Sequence, residues 1–244
     1  MCTVTALPRS LLSRSSHREP LLLRVACNRD ERRARVEGLP PERWMVGSRH
    51  ALMPIDPQSG GTWIAVNDAG VVFVVLNSNS GRARPAGDIS RGTIIPAIVE
   101  AATVSDALVR AQTLQVQRYA PFRLLLFDRY QLVECWRLGD RIRHRRSFLG
   151  GAVMRTSSSL GDGVVSGPRR ALFQRFFTDA DDPCAAQDGF HQHRWIGRED
   201  ISVNMLRPDA CTVSHTVVEV GVDSISMSYR RTDSTQPVVA HVAA

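Results

Sequence analysis

A chain of 244 residues with no long Pro/Ser/Gly linker and no internal repeat has the size of one large sandwich, so a single domain over 1–244 is expected, with a tail from about 232 small and polar enough to fray. The formal net charge of +7 invites a nucleic-acid reading, yet every one of the 31 basic residues is arginine, which points to the codon usage of a GC-rich genome and away from a phosphate-binding surface; no nucleic-acid partner is expected. The longest apolar runs, such as residues 71–76, fall far short of the ~20 residues of a membrane span, and no cationic stretch precedes a hydrophobic core, so no membrane insertion and a cytoplasmic location are expected.

In chain order, residues 2–7 and 21–26 read as paired strands, the second ending abruptly in Cys27 and the charged run Asn28-Arg29-Asp30-Glu31. A strand that delivers a polar cluster at its end places chemistry on a rigid support. Gly60-Gly61-Thr62-Trp63 then leads into residues 64–66, the turn Asn67-Asp68-Ala69-Gly70 and residues 71–77, a hairpin whose turn tolerates positive φ. Residues 90–102 and 105–114 carry Ile94, Ile98, Leu108 and Val109 at helical spacing. Residues 122–127 and 131–138 form a second hairpin about Asp128-Arg129-Tyr130, and Ser157 to Gly163 a flexible polar loop. Pro168 suits the first position of a helix over 169–177, and residues 212–220 and 224–230 close the chain as a third hairpin. Strands and helices in blocks, without βαβ alternation, argue an α+β class.

Cys2 directly follows the initiator methionine. Aminopeptidases remove Met1 when the next residue is small, which would leave Cys2 with a thiol and a free α-amine whose ordinary pKa values, ~8.5 and ~7.7–8.0, let the amine act as base for the sulfur. The five cysteines, Cys2, Cys27, Cys135, Cys184 and Cys211, are odd in number and lack a CxxC pair, so reduced thiols are expected, with no disulfide framework and no metal; a crosslink between Cys2 and the neighbouring Cys27 is conceivable under oxidation. Arg141, Arg143, Arg145 and Arg146 alternate along a strand and suit a solvated edge. His191 and His193 share one face of an extended segment but lack a third ligand at a helpful spacing. Ser10, Arg14, Ser15, Ser16 and Arg18 have a mildly transit-like composition, and cleavage there would remove Cys2.

Met-Cys at the start, Asn28 to Glu31, Gly60 to Trp63 and Asn77, in that order and spacing, resemble the NRDE family, the homologues of the transport-and-Golgi-organisation protein. The resemblance implies an N-terminal-nucleophile hydrolase fold, a four-layer αββα sandwich of two antiparallel sheets between helical layers. It is similar, at Met-Cys-Thr and an Asn-x-Asp, to cysteine hydrolases that cleave penicillins and conjugated bile salts. By that resemblance Cys2 would be the nucleophile attacking a non-peptide amide of a small-molecule substrate, Asp30 would hold the α-amine and Arg29 would lower the thiol pKa. Asn77, at the end of a hairpin strand, is the best side-chain donor to a tetrahedral oxyanion. Asn28, Trp63 and Ser158 are expected around the substrate, with Asn28 bracing the turn. Relatives carry an asparagine ahead of the later helix; here Ser157 to Gly163 stand in its place, so a second oxyanion donor is absent or supplied by a hydroxyl or a backbone N–H. A hydrolase would need no cofactor. The alternative is a haem or lipid carrier, in which Cys2 or His215 would ligate haem.

Overall fold

The computed structural model describes residues 2–13, 20–79 and 87–244. The transit-like stretch centred on Arg14 to Arg18 lies outside them.

Two antiparallel sheets stack face to face. The first has six strands in the order β10 (Val153–Thr156), β1 (Cys2–Pro8), β2 (Leu21–Arg32), β11 (Ala210–Gly221), β12 (Ser224–Arg231) and β13 (Val238–Ala243). The second has seven in sequence order: β3 (Leu39–Val46), β4 (Arg49–Ile55), β5 (Ile64–Asn67), β6 (Val72–Asn77), β7 (Phe122–Phe127), β8 (Gln131–Leu138) and β9 (Arg141–Phe148). Helices α1 (Arg9–Leu12), α4 (Asp162–Phe177) and α5 (Pro183–Gln192) cover the outer face of the first sheet, and α2 (Ile94–Ile98) and α3 (Val104–Gln112) that of the second. This is the expected αββα sandwich. Residues alternate across each strand, so Cys2, Val4, Ala6, Val25 and Cys27 enter the core between the sheets, while Thr3, Thr5 and Leu7 face the outer helices.

Several local expectations change. The charged run is inside β2, which continues to Arg32, and Asn28, Arg29 and Asp30 are only 1%, 4% and 2% exposed. Buried polar groups are tolerated only when paired, and each of these has a partner. Residues 90–102 do not make one helix: α2 ends at Ile98, and Asn67 Nδ2 donates to the carbonyls of Val99 and Ala101, both at 2.7 Å, which fixes the chain in a turn before Thr103 caps α3. Pro168 lies well inside α4, which starts at Asp162 after Gly161 at φ +107°. The polar loop is held by Asp162, whose carboxylate accepts from Asn79 N and Ser158 N, both at 3.0 Å. His191 is in the last turn of α5 and His193 is its C-cap, so they are not on an extended segment. The tail from 232 is not wholly frayed: the β-branched run at Val238 pairs with β12 from Tyr229 to Ser224. The arginine-rich segment is the exposed edge strand β9. Among the described residues no helix is long and apolar enough to cross a membrane.

Candidate active-site cleft at Cys2

Strand β1 begins at Cys2, whose Cα is in register with Arg29 of β2. Paired residues of an antiparallel ladder point to one face. The two side chains therefore enter the same inter-sheet space, a cleft of about 570 Å³ also lined by Trp63, Asn77, Asp56 and Ser159.

Backbone bonds hold Cys2 from the β10 side. Ser157 N donates to Cys2 O at 2.9 Å, and Cys2 N donates to Ser157 Oγ at 3.3 Å, so the nitrogen that becomes the α-amine on loss of Met1 already faces a hydroxyl. The Cys2 thiol is held below its ordinary pKa, first by a hydrogen bond with the Cys27 thiol and to a smaller degree by Arg29, against burial and the Asp30 carboxylate. The same contact and burial push Cys27 well above its ordinary value. In that contact the Cys27 thiol is the donor and the Cys2 sulfur the acceptor.

Arg29 is clamped. Its Nη2 donates to Asp56 Oδ2 at 2.6 Å, and its guanidinium carbon lies 4.2 Å from the centre of the Trp63 ring. Arg35 shares the same carboxylate oxygen at 2.8 Å. The glycines around Trp63 have steric causes. A Cβ at Gly38 would stand 2.8 Å from the Trp63 ring, and one at Gly61 would run into the backbone of Gly92, against which Thr62 N donates to Gly92 O at 2.9 Å.

Of the residues singled out in the sequence, Cys2, Arg29, Trp63 and Asn77 meet in the cleft. Asn28, Asp30 and Ser158 do not line it. Strand alternation turns Asn28 to the helical side, where its Nδ2 donates to His191 O (2.8 Å) and Val203 O (3.0 Å). Asp30 accepts from Thr212 Oγ1 at 2.6 Å on that same side; burial raises its pKa, opposed first by the charge of Arg169. Ser158 is buried in the loop before α4, its hydroxyl accepting from Leu160 N. Two buried groups were not singled out, one in the cleft lining and one behind β1 on the helical side. Asp56 belongs to a turn, where its Oδ1 accepts from Gln58 N, and only the Asp-x-x-Ser-Gly pattern marks it in sequence. Arg169, 1% exposed, donates to Thr3, Thr156, Ile201 and Ser202 beneath β1. His215 lies on the opposite sheet face from Cys2, being in register with Asn28.

The architecture and a cysteine heading a central strand define an N-terminal-nucleophile hydrolase-like fold. Solved structures agree: an N-acylethanolamine-hydrolyzing acid amidase ortholog from Caenorhabditis elegans superposes with a TM-score of 0.58 at 11% identity, covering 88% of this chain and 92% of that one. Two single-site variants of conjugated bile acid hydrolase from Clostridium perfringens give TM-scores of 0.54 and 0.51, each at 8% identity, covering 99% and 100% of this chain and 92% of that one. At such identities the likeness is one of fold. No curated protein matches the chain. The Transport and Golgi organisation 2 family model matches residues 11–160, and the chain belongs to that family.

Proposed function

We propose that the protein is an N-terminal cysteine hydrolase acting on a non-peptide C–N bond of a small molecule. The observation that carries this reading is the setting of Cys2: a thiol of lowered pKa at a cleft, its backbone nitrogen against the Ser157 hydroxyl, with Asn77 lining the same cleft from the other sheet. After loss of Met1, the α-amine takes the Cys2 proton, the sulfur adds to the amide carbonyl, and Asn77 donates to the oxyanion. The C–N bond breaks, the departing nitrogen receives the proton from the α-ammonium, and a thioester remains. Water, deprotonated by the same amine, then releases the acid and restores the thiol. Arg29, fixed by Asp56 and Trp63, presents a positive charge beside the sulfur at low entropic cost.

Intact mass of the purified protein and a panel of N-acyl amides, including acyl amino acids and penicillin V, test the reading. The expected result is a chain starting at Cys2 and an acyl adduct or turnover that Cys2→Ala abolishes. Retained Met1 with no adduct from any amide would sink it.

A further inference from the structure

On the far side of the first sheet from Cys2 is a second cavity, of about 210 Å³, enclosed by β11, β12, the end of α5 and Asn28. None of its nine lining residues is acidic, and two, Arg230 and Arg231, are cationic. Arg231 is already neutralised, by Glu37 at 2.6 Å and Asp233 at 2.7 Å. Arg230, half-buried on β12, has no hydrogen bond or ion pair among the described residues. Across the ladder it is in register with His215, so both side chains face the cavity.

His215 is also incomplete. Its Nε2 is buried with no partner, a state that costs free energy unless something fills it. Burial, seconded by Arg24 and Arg230, lowers its pKa to about 3, so the ring is neutral and can place its proton on Nε2. The neighbouring His191, with ring centres 5.1 Å apart, is not available, because its Nε2 bonds Thr5 Oγ1 at 2.7 Å and its Nδ1 bonds Asn28 Oδ1 at 3.0 Å. The Thr212 hydroxyl in the lining is already engaged, donating to Asp30 at 2.6 Å.

We infer that this cavity is a binding site for a compact oxyanion, a small carboxylate or phosphate, held by the Arg230 guanidinium and the His215 Nε2–H. An unpaired guanidinium is a planar donor fork matched to an oxyanion, and the bound anion supplies the acceptor that the imidazole lacks. The site is separate from the Cys2 cleft and stands whether or not Cys2 is a nucleophile.

The test is titration of the full chain with inorganic phosphate in one arm and acetate in another, in chloride buffer at constant ionic strength, followed by calorimetry and by the His215 ring resonances. Saturable binding in at least one arm is expected, the arm that saturates naming the oxyanion, with the His215 titration moved to higher pH because a neighbouring anion favours imidazolium. Arg230→Gln and, independently, His215→Asn should raise Kd about tenfold or more. Cys2→Ala and the cleft variant Arg32→Gln should bind as the parent does. Shifts that rise linearly without saturation in both arms, or binding weakened by Arg32→Gln and not by Arg230→Gln, would overturn the assignment.

Discussion

Arg29 of β2 donates to Asp56, which follows β4, at 2.6 Å, a bond that ties the two sheets together at the rim of the cleft. Both side chains are at least nine-tenths buried, and Arg35 leans on the same oxygen. Asp56→Ala therefore leaves a buried guanidinium with only the more distant Glu31 carboxylate, 3.8 Å away, and should cost up to about 3–5 kcal/mol of unfolding free energy. Chemical denaturation reads it; a loss under 1 kcal/mol, the range of exposed pairs, would mean that water replaces the carboxylate at no great expense.

The Cys27 thiol is the largest influence lowering the pKa of Cys2. Cys27→Ala removes the donor without touching the cleft wall, so the pH profile of iodoacetamide labelling at Cys2 should move to higher pH and the rate at neutral pH should fall several-fold. Cys27→Ser keeps a hydroxyl donor and should fall between the two. In the parent, Cys2 should label faster than Cys135, whose thiol burial pushes up to about 12. An unchanged profile in Cys27→Ala would assign the lowered pKa to Arg29 instead.

How much of this was legible in the sequence depends on the kind of contact. Cys2, Arg29, Trp63 and Asn77 are readable because the resemblance to the NRDE motif picks them out, and they share a cleft. Asn28 and Asp30 do not line the cleft, and a strand ending at residue 26 hides the reason: once β2 is seen to run to Arg32, neighbours in the motif point to opposite faces. Asp56 and Ser157 reach Cys2 and Arg29 only through sheet stacking and the β1–β10 pairing, contacts 27 and 155 residues apart that no local pattern announces. Strand β3 carries Pro40 and Pro41, residues that speak against a strand, and they are accommodated where its register with β4 shifts between Leu39 and Glu42, at a sheet edge.

Acid should destabilise the protein through His191 and His215. Burial is the first cause of depression for both, His191 falling well below 6.5 and His215 to about 3. Below pH 6.5 the unfolded chain takes up these protons and the native state does not, so stability is full above 6.5 and is lost as pH falls towards 3, at up to about 1.4 kcal/mol per pH unit for each ring. His215→Asn should flatten that slope between pH 6 and 4 in phosphate-free buffer. A slope identical to the parent's would mean that His215 protonates freely in the folded state.

Asn77 separates the chemistry of the amide from the reactivity of the sulfur. It lines the cleft at the end of β6, and in the proposed reaction it donates to the charge that develops on the carbonyl oxygen. Alkylation by iodoacetamide is a displacement at a saturated carbon and forms no oxyanion, whereas acylation by an amide does. Asn77→Ala should therefore lower the acylation rate by about 10²–10³, the usual loss for one such donor, while leaving iodoacetamide labelling of Cys2 within about twofold of the parent. The effect should fall on kcat more than on KM, since the interaction belongs to the transition state. Equal losses in both reactions would show that Asn77 shapes the cleft around the thiol and gives nothing to the oxyanion, and the donor would then have to be sought among Ser157, Ser159 and the backbone N–H groups of the loop before α4.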